Sequence, residues 1–226
     1  SVDWYSITID EAVTQLELKD VLTFEAAGSL PPGIIVNRFE TVNGVPGSIS
    51  RCGTTDPTTL SCGLINVNAN LASLDRDGID IRAQYDLDTD SLGQFAFTVE
   101  YSKMLTFDQQ STPESGTLDF VGDEQYPEFR YNFNTRWNMN DWTVNYTLHY
   151  IDSTDGVSSG KYPDFTTHDL NVTWATPWGG EVSAGARNLT DEDPSLDSVA
   201  GYDDNVVLEL YDVAGRVPYL SYKHFF

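Results

Sequence analysis

The sequence predicts an all-β chain, an antiparallel transmembrane β-barrel segment of about eight meandering strands. Apolar and polar residues alternate with period two in repeated runs, which is the pattern of strands with one apolar and one polar face. Short and long connections alternate between these runs, and Trp and Tyr residues stand near the run ends. The combination is typical of an outer-membrane barrel.

The strands follow from the alternation in chain order. In the first clear run, Ile79, Ile81, Ala83, Tyr85 and Leu87 alternate with polar residues. The terminal runs predict a strand over residues 1–9 and a last strand over 217–226. The runs between them are centred on residues 95–101, 129–133, 142–150, 170–174 and 182–186.

The connections predict which ends of the strands lie together. Three are short and four are long, and the long ones are rich in Gly, Pro, Asp, Ser and Asn. If sequential strands are antiparallel neighbours, all short turns share one rim and all long loops share the other. The stretch 10–27 contains helix-forming residues before Pro31 and Pro32 break the pattern. The short turns are 88–93, 138–141 and 176–180, and the long loops are 10–77, 106–127, 152–167 and 188–216.

Aromatic placement separates a barrel from a soluble β-sandwich, which shows the same alternation. Trp137 and Trp142 flank one short turn, and Trp174 and Trp178 flank or lie in another. Trp and Tyr prefer the membrane interface, where one end of the ring is apolar and the other is wet. These residues favour the barrel, with half of an aromatic girdle at the short-turn rim.

Net charge excludes one class of partner. The chain of 226 residues carries 12 Lys and Arg against 35 Asp and Glu, a formal charge of −23. A nucleic-acid binder needs clustered basic residues to contact phosphates. We therefore expect no nucleic-acid partner.

Three segments near the C-terminus carry a resemblance to a known family. Residues 186–194 (ARNLTDEDP), 211–216 (YDVAGR) and 219–226 (YLSYKHFF) resemble motifs of TonB-dependent outer-membrane receptors. Upstream, Asn37-Arg38-Phe39 and Asp77-Gly78-Ile79-Asp80 resemble the family's long loop and the start of its next strand. The resemblance covers nearly the whole chain and is most specific at the C-terminus.

The resemblance implies that residues 1–226 are the C-terminal portion of a receptor barrel, with the plug domain and the N-terminal strands absent. The short turns would face the periplasm, and residues 10–77 would form a long extracellular loop. The partners implied are the lipid bilayer, the TonB system through the missing plug, and the outer-membrane assembly machinery. A C-terminal assembly signal is expected at Leu220, Tyr222 and Phe226.

The implied function is active uptake of a scarce small-molecule ligand, of the siderophore, cobalamin or oligosaccharide class. Arg82, Arg130, Arg136 and Arg187 are candidate lumen charges, which could instead pair with acids on neighbouring strands. Two alternatives stay open: a self-contained eight-stranded outer-membrane protein, and a soluble acidic β-sandwich that binds carbohydrate. The candidate ligand-stacking residues in the loops are Phe107, Phe120, Tyr126, Tyr162, Phe165 and Tyr202.

Catalysis is not expected. His149, His168 and His224 are scattered and lack a nucleophile motif or metal-ligand spacing, so we expect no catalytic residue, no metal and no cofactor. Cys52 and Cys62 stand close together in the first long loop. The oxidising compartment that the resemblance implies favours a disulfide between them.

Overall fold

The computed structural model describes residues 1–16, 18–38, 63–112, 116–123, 125–156, 160–195, 206–208 and 210–225. Within them, strands predominate and no helix is both long and apolar enough to cross a membrane. In chain order the elements are β1 Val2–Thr14, α1 Leu18–Ala27, β2 Ile35–Val36, β3 Leu64–Ile65, β4 Ala69–Thr89, β5 Gly93–Gln110, β6 Leu118–Asp119, β7 Phe129–Met139, β8 Trp142–Ile151, β9 Thr154–Asp155, β10 Lys161–Tyr162, β11 Phe165–Thr176, β12 Gly180–Arg187 and β13 Val217–His224.

Eight long strands form one meandering sheet, in the order β1-β4-β5-β7-β8-β11-β12-β13. The pairs from β5 to β13 are antiparallel, and the short β6 pairs with β5 outside this path. The number of long strands and their sequential pairing confirm the predicted fold class. The chain divides into two compact units, residues 1–6, 76–107 and 120–226, and residues 7–75 and 108–119.

The strand register keeps apolar side chains of the first unit on one face. Tyr131 pairs with Tyr150 and Phe133 with Leu148, and Val172 pairs with Val144. Because alternate residues of a strand point to opposite faces, these pairs extend the apolar stripe of one strand onto the next. The same face continues into β13, where Leu220 pairs with Ala184 and Tyr222 with Val182.

The short-turn end of the sheet carries clustered tryptophans. The Trp142 and Trp174 rings stack with their centroids 5.9 Å apart, and Trp178 meets Trp174 edge-on at 5.4 Å. The Trp137 indole donates a hydrogen bond of 2.6 Å to the carbonyl of Leu92 in a neighbouring short turn. The predicted aromatic band therefore lies beside the three short turns.

Two strands extend further than the sequence indicated. β1 continues to Thr14 and β4 begins at Ala69, so the expected loop 10–77 is strand at both of its ends. The polar residues 75–78 (DRDG) obscure the apolar alternation before Ile79, whereas the strand continues through them. β4 has 21 residues, about twice the length that crosses a bilayer.

Part of the second unit is a small core around α1. Val21 and Phe24 of the helix are buried with Leu16 and Ile34. Gly28, with φ +68°, ends the helix in the left-handed conformation that glycine adopts without penalty. Arg38 donates two hydrogen bonds to Glu25, of 2.7 and 2.6 Å, which ties the segment after the helix to its last turn.

The base of the last long loop is held by the predicted motif at 186–194. Asn188 is buried and in the left-handed region, with φ +46°, and its side chain bonds both the N–H and the carbonyl of Glu192. Asp191 accepts the Arg216 backbone N–H at 2.8 Å and faces the Arg216 guanidinium at 3.3 Å. The loop therefore begins and ends at one clamp, in which Arg216 pairs with Asp191.

Candidate functional site

Charged and polar side chains of the first unit meet on the polar face of its sheet. Strand alternation places Glu100, Asn132, His149 and Asp169 opposite the apolar stripe. In the strand register, Glu100 pairs with Asn132, and Asn132 pairs with His149. His149 in turn pairs with Thr167, which is two residues from Asp169 on the same strand. Charged and amide groups therefore run side by side across four strands, β5, β7, β8 and β11.

Two of the predicted lumen arginines form ion pairs. Arg82 Nη1 lies 3.3 Å from Glu100 Oε1, and Arg187 Nη1 lies 3.9 Å from Asp212 Oδ2. All four side chains are at least half exposed, and such pairs contribute about 0–1 kcal/mol each. Asp80 accepts a hydrogen bond from Ser102 instead of pairing with arginine.

The other two predicted lumen arginines, Arg130 and Arg136, are exposed on this face. Within the described part of the chain, neither forms an ion pair. Arg136 lies opposite Ala96 and Asn145, and Arg130 lies opposite Ser102 and Ile151. Both guanidinium groups are therefore available to a charged solute.

His149 is held between two strands by polar partners. Its Nδ1 lies 2.8 Å from Asn132 Oδ1, and its Nε2 lies 3.4 Å from Asp169 Oδ2. Asp169 also accepts the backbone N–H of Asn188 at 2.9 Å, which joins this network to the clamp of the last loop. The arrangement fixes an imidazole and a carboxylate side by side on the polar face.

A cavity of ≈ 290 Å³ lies between this network and the last long loop. His149, Asp169, Arg187 and Asp212 give it charged walls, and Leu210 is among its apolar lining residues. A cavity of this size can hold a small organic group, since pockets for drug-sized ligands measure roughly 300–1,000 Å³. The walls can donate and accept hydrogen bonds, which suits a polar solute.

Three of the predicted stacking aromatics form one cluster at the long-loop end. The Phe107 ring contacts the Tyr126 ring edge-on at 4.8 Å and the Phe120 ring at 5.4 Å. The Arg76 guanidinium lies 5.3 Å from the centre of the Phe107 ring, which is a cation–π distance. Phe107 is buried, so its ring supports the cluster, whereas Phe120 and Tyr126 retain partial exposure.

Two further predicted stacking residues, Tyr162 and Phe165, are also buried. They form a core with Val207 and Tyr211 from the last loop, and the Phe165 and Tyr211 rings meet edge-on at 5.1 Å. Burial raises the pKa of the Tyr211 hydroxyl. These rings hold two loops together, and they present little surface to a ligand.

Some predicted residues cannot be assigned a place. Tyr202, Cys52, Cys62 and Phe226 lie outside the described residues, so the predicted disulfide has no structural counterpart to report. Leu220 and Tyr222 of the expected assembly signal lie in β13 and are largely exposed. Across the residues that the structure describes, no group of three or more His, Cys, Asp or Glu could hold a metal ion.

Sequence reasoning did not identify Arg76 as a site residue. It stands between Asp75 and Asp77, in a run that indicates a solvated polar turn. The structure places it in β4 against Phe107. Its position two residues before Gly78 and four before Asp80 places Arg76 on the same face of the strand as those two residues. This spacing is the sequence signal that could have identified it.

One family comparison covers most of the chain. The family model described as "TonB dependent receptor-like, beta-barrel" matches residues 1–189. Among curated protein sequences, no relative matches.

Solved structures share the fold at low sequence identity. A mutant of the ferric enterobactin receptor PfeA from Pseudomonas aeruginosa, in complex with enterobactin, has a TM-score of 0.58 at 13% identity over 99% of this chain. The siderophore receptor PirA from Acinetobacter baumannii has a TM-score of 0.56 at 14% identity over 100% of this chain. A second PfeA mutant gives 0.52 at 15% identity over 74%. This chain covers 28%, 29% and 24% of those three chains respectively.

Proposed function

Because the chain belongs to the β-barrel family of TonB-dependent receptors and lies in the bacterial outer membrane, we propose that it forms part of the wall of a receptor that takes up a scarce solute. The family is one of receptors and not of enzymes. The observation that carries the proposal is the sheet with two unlike faces. An apolar face can meet lipid while a polar face lines a wet lumen.

The polar face supports binding of a polar solute at the long-loop end. His149, Asp169 and Arg187 line one cavity with the last loop, and Arg130 and Arg136 stand on the same face without an ion pair among the described residues. In this proposal the outward loops and upper lumen capture the solute. Energy delivered through TonB to a plug domain then releases it inward.

Among solute classes we propose a siderophore. The similar structures are a ferric enterobactin receptor and a siderophore receptor, although identities of 13–14% show the fold alone. Cobalamin and an oligosaccharide are the other classes that the polar lumen accommodates. A siderophore is favoured because guanidinium groups recognise anionic oxygens in bidentate geometry.

The open strand order supports further strands in the same barrel. Among the described residues, β1 and β13 each have a sheet neighbour on one side. An unpaired strand edge is not tolerated in lipid, because its backbone groups would have no hydrogen-bond partners. We propose that further strands of one polypeptide satisfy both edges, and the mass of the native polypeptide from outer membranes tests this. A mass several times 25.1 kDa is expected, and a mass near that value would instead favour a closed eight-stranded barrel.

The uptake proposal is tested in cells that express the whole receptor. Growth under iron limitation is measured with a panel of ferric siderophores, and uptake of labelled cobalamin and of oligosaccharides is measured in parallel. We expect one ferric siderophore to restore growth, and removal of TonB to abolish the effect. TonB-dependent uptake of cobalamin or an oligosaccharide alone would change the solute class, and absence of TonB-dependent uptake in every arm would contradict the proposal.

A further inference from the structure

A second, smaller cavity of ≈ 120 Å³ lies on the first unit and is lined by Arg76 and Arg130. Its other polar lining residues are Tyr5, Ser102 and Gln125, together with Tyr126 from the aromatic cluster. No Asp or Glu is among its described lining residues, in a chain with 35 acidic residues against 12 basic ones. Two cations therefore share one concave site whose described walls contain no carboxylate.

Most other basic side chains of the described residues have a carboxylate partner. Six of them form ion pairs, whereas Arg76 and Arg130 form none within the described part of the chain. Asp75 and Asp77 flank Arg76, but neighbours along a strand project to the opposite face. The six paired residues are Arg38, Arg82, Lys103, Lys161, Arg187 and Arg216.

The Arg76 side chain packs against an aromatic ring of the protein on one side. Its guanidinium lies 5.3 Å from the centre of the Phe107 ring, and its Nε is buried without a hydrogen-bond partner among the described residues. A buried donor without a partner is unfavourable, and two like charges beside one cavity repel each other. An anion in the cavity would offset the repulsion between the two guanidinium groups and offer them hydrogen-bond acceptors.

We propose that Arg76 and Arg130 form an oxyanion subsite, which binds one carboxylate or phosphate group of a solute in the lumen. Guanidinium groups offer paired N–H donors that match both kinds of oxyanion. Tyr5, Gln125 and Ser102 supply neutral polar groups around the charged pair. The cavity of ≈ 120 Å³ is less than half the size of the ≈ 290 Å³ cavity beside the last long loop, which favours one such group over a whole ligand.

The inference deepens the proposed uptake function and rests on it only for the identity of the molecule that carries the oxyanion. Binding of a simple oxyanion does not require transport. The test therefore uses simple oxyanions, on the whole receptor purified in detergent at low ionic strength. Calorimetric titration with inorganic phosphate, and separately with acetate, measures affinity for the two oxyanion geometries.

The variants are Arg76→Gln and Arg130→Gln, and the matched control is Lys223→Gln. Lys223 is exposed, forms no ion pair among the described residues and lies 4.9 Å from the centre of the Phe225 ring, but it does not line the cavity. We expect each site variant to weaken binding of at least one probe about tenfold or more, the loss expected for a charge-assisted hydrogen bond. The control variant should bind both probes as the unaltered receptor does.

Further arms keep the test decisive if a glutamine variant does not fold. Arg76→Lys keeps the charge but loses the paired donors, so its affinity should lie between those of the unaltered receptor and Arg76→Gln. Absence of binding to both probes, or equal weakening by Lys223→Gln, would overturn the subsite.

Two comparisons identify the source of the oxyanion and separate the two proposals. Repeating the phosphate titration in vesicles of anionic phospholipid shows whether a lipid headgroup competes, in which case the headgroup replaces the lumen solute as the occupant. Phosphate binding that depends on Arg76, in a receptor with no TonB-dependent uptake, would retain the subsite and reject the uptake function. TonB-dependent uptake without phosphate binding would retain the uptake function and reject the subsite.

Discussion

The two ends of the long strands use aromatic residues in opposite ways. At the short-turn end, Trp142 and Trp178 are 46% and 57% exposed and contact Trp174 on the outer surface. At the long-loop end, Tyr162 and Phe165 are 4% and 8% exposed and pack against residues of the last loop. The same residue class forms a surface band at one end and small cores at the other.

The difference follows from what surrounds each end. Short turns have too few residues to cover a ring, and an exposed ring is stable there because lipid and the membrane interface solvate it. Long loops extend into water, where an apolar ring must be covered by other residues of the loop. Predictions about aromatic positions therefore depend on which end a residue occupies.

The largest expected effect is at a buried ring of the long-loop end. Phe165→Ala should destabilise the core it shares with Tyr211 by about 3–5 kcal/mol, since it removes a buried ring and leaves a cavity. The last loop should then be cleaved faster by protease in the intact receptor.

The control for this variant is Trp178→Ala at the opposite end. Trp178 is exposed, so its removal should leave the cleavage rate of the last loop unchanged. Equal cleavage rates in Phe165→Ala and the unaltered receptor would mean that the loop core contributes little to loop order.

Backbone crowding at the two ends provides the next comparison. Gly93 in a short turn and Gly122 in a long loop have φ of +83° and +85°, so alanine is strained at both. A Cβ at Gly93 would lie 2.3 Å from the carbonyl oxygen of Asn138, whereas a Cβ at Gly122 would meet nothing within 4 Å. Gly93→Ala should therefore cost about 2 kcal/mol more than Gly122→Ala.

Denaturant unfolding of the whole receptor in lipid compares the two variants. The shared strain cancels between them, so the difference between their midpoints reports crowding alone. A Gly122→Ala variant that is as destabilised as Gly93→Ala would show that the short turn is no tighter than the loop.

The sheet was predictable because alternation encodes it directly. The pairing of Phe133 with Leu148 and of Val144 with Val172 follows once each run has an apolar face and its neighbours are antiparallel. The resemblance to TonB-dependent receptors is likewise confirmed. The extra length of β4 was not predictable, because residues 75–78 are polar and their pairing depends on neighbouring strands.

The site was only partly predictable, because exposure of a loop ring depends on residues far away in sequence. Phe165 resembles a ligand-stacking residue until Tyr211, 46 positions later, is placed against it. The polar-face positions of Arg82, Arg130 and Arg136 were easier to predict, because alternation along a strand determines which face a residue occupies. The ion pairs of these arginines could not be predicted from the sequence, because an ion pair requires a carboxylate close to the guanidinium in three dimensions.

The smallest expected effect is a dependence on pH in the second unit, near α1. The Arg38 guanidinium holds the pKa of Glu25 below its usual value of 4.5 through hydrogen bonds to both carboxylate oxygens. A lowered pKa means that the folded state binds its proton less tightly than the unfolded chain does. The contribution of the Glu25–Arg38 pair to stability is therefore complete above pH 4.5 and is lost as the pH falls through the lowered pKa.

Hydrogen exchange of the α1 amides, corrected for intrinsic rates, should show this loss in the unaltered receptor and not in Glu25→Gln. The control Asp155→Asn, which removes a carboxylate from an exposed pair with Lys161, should keep the pH profile of the unaltered receptor. If Glu25→Gln also leaves that profile unchanged, the Glu25–Arg38 pair does not stabilise the segment.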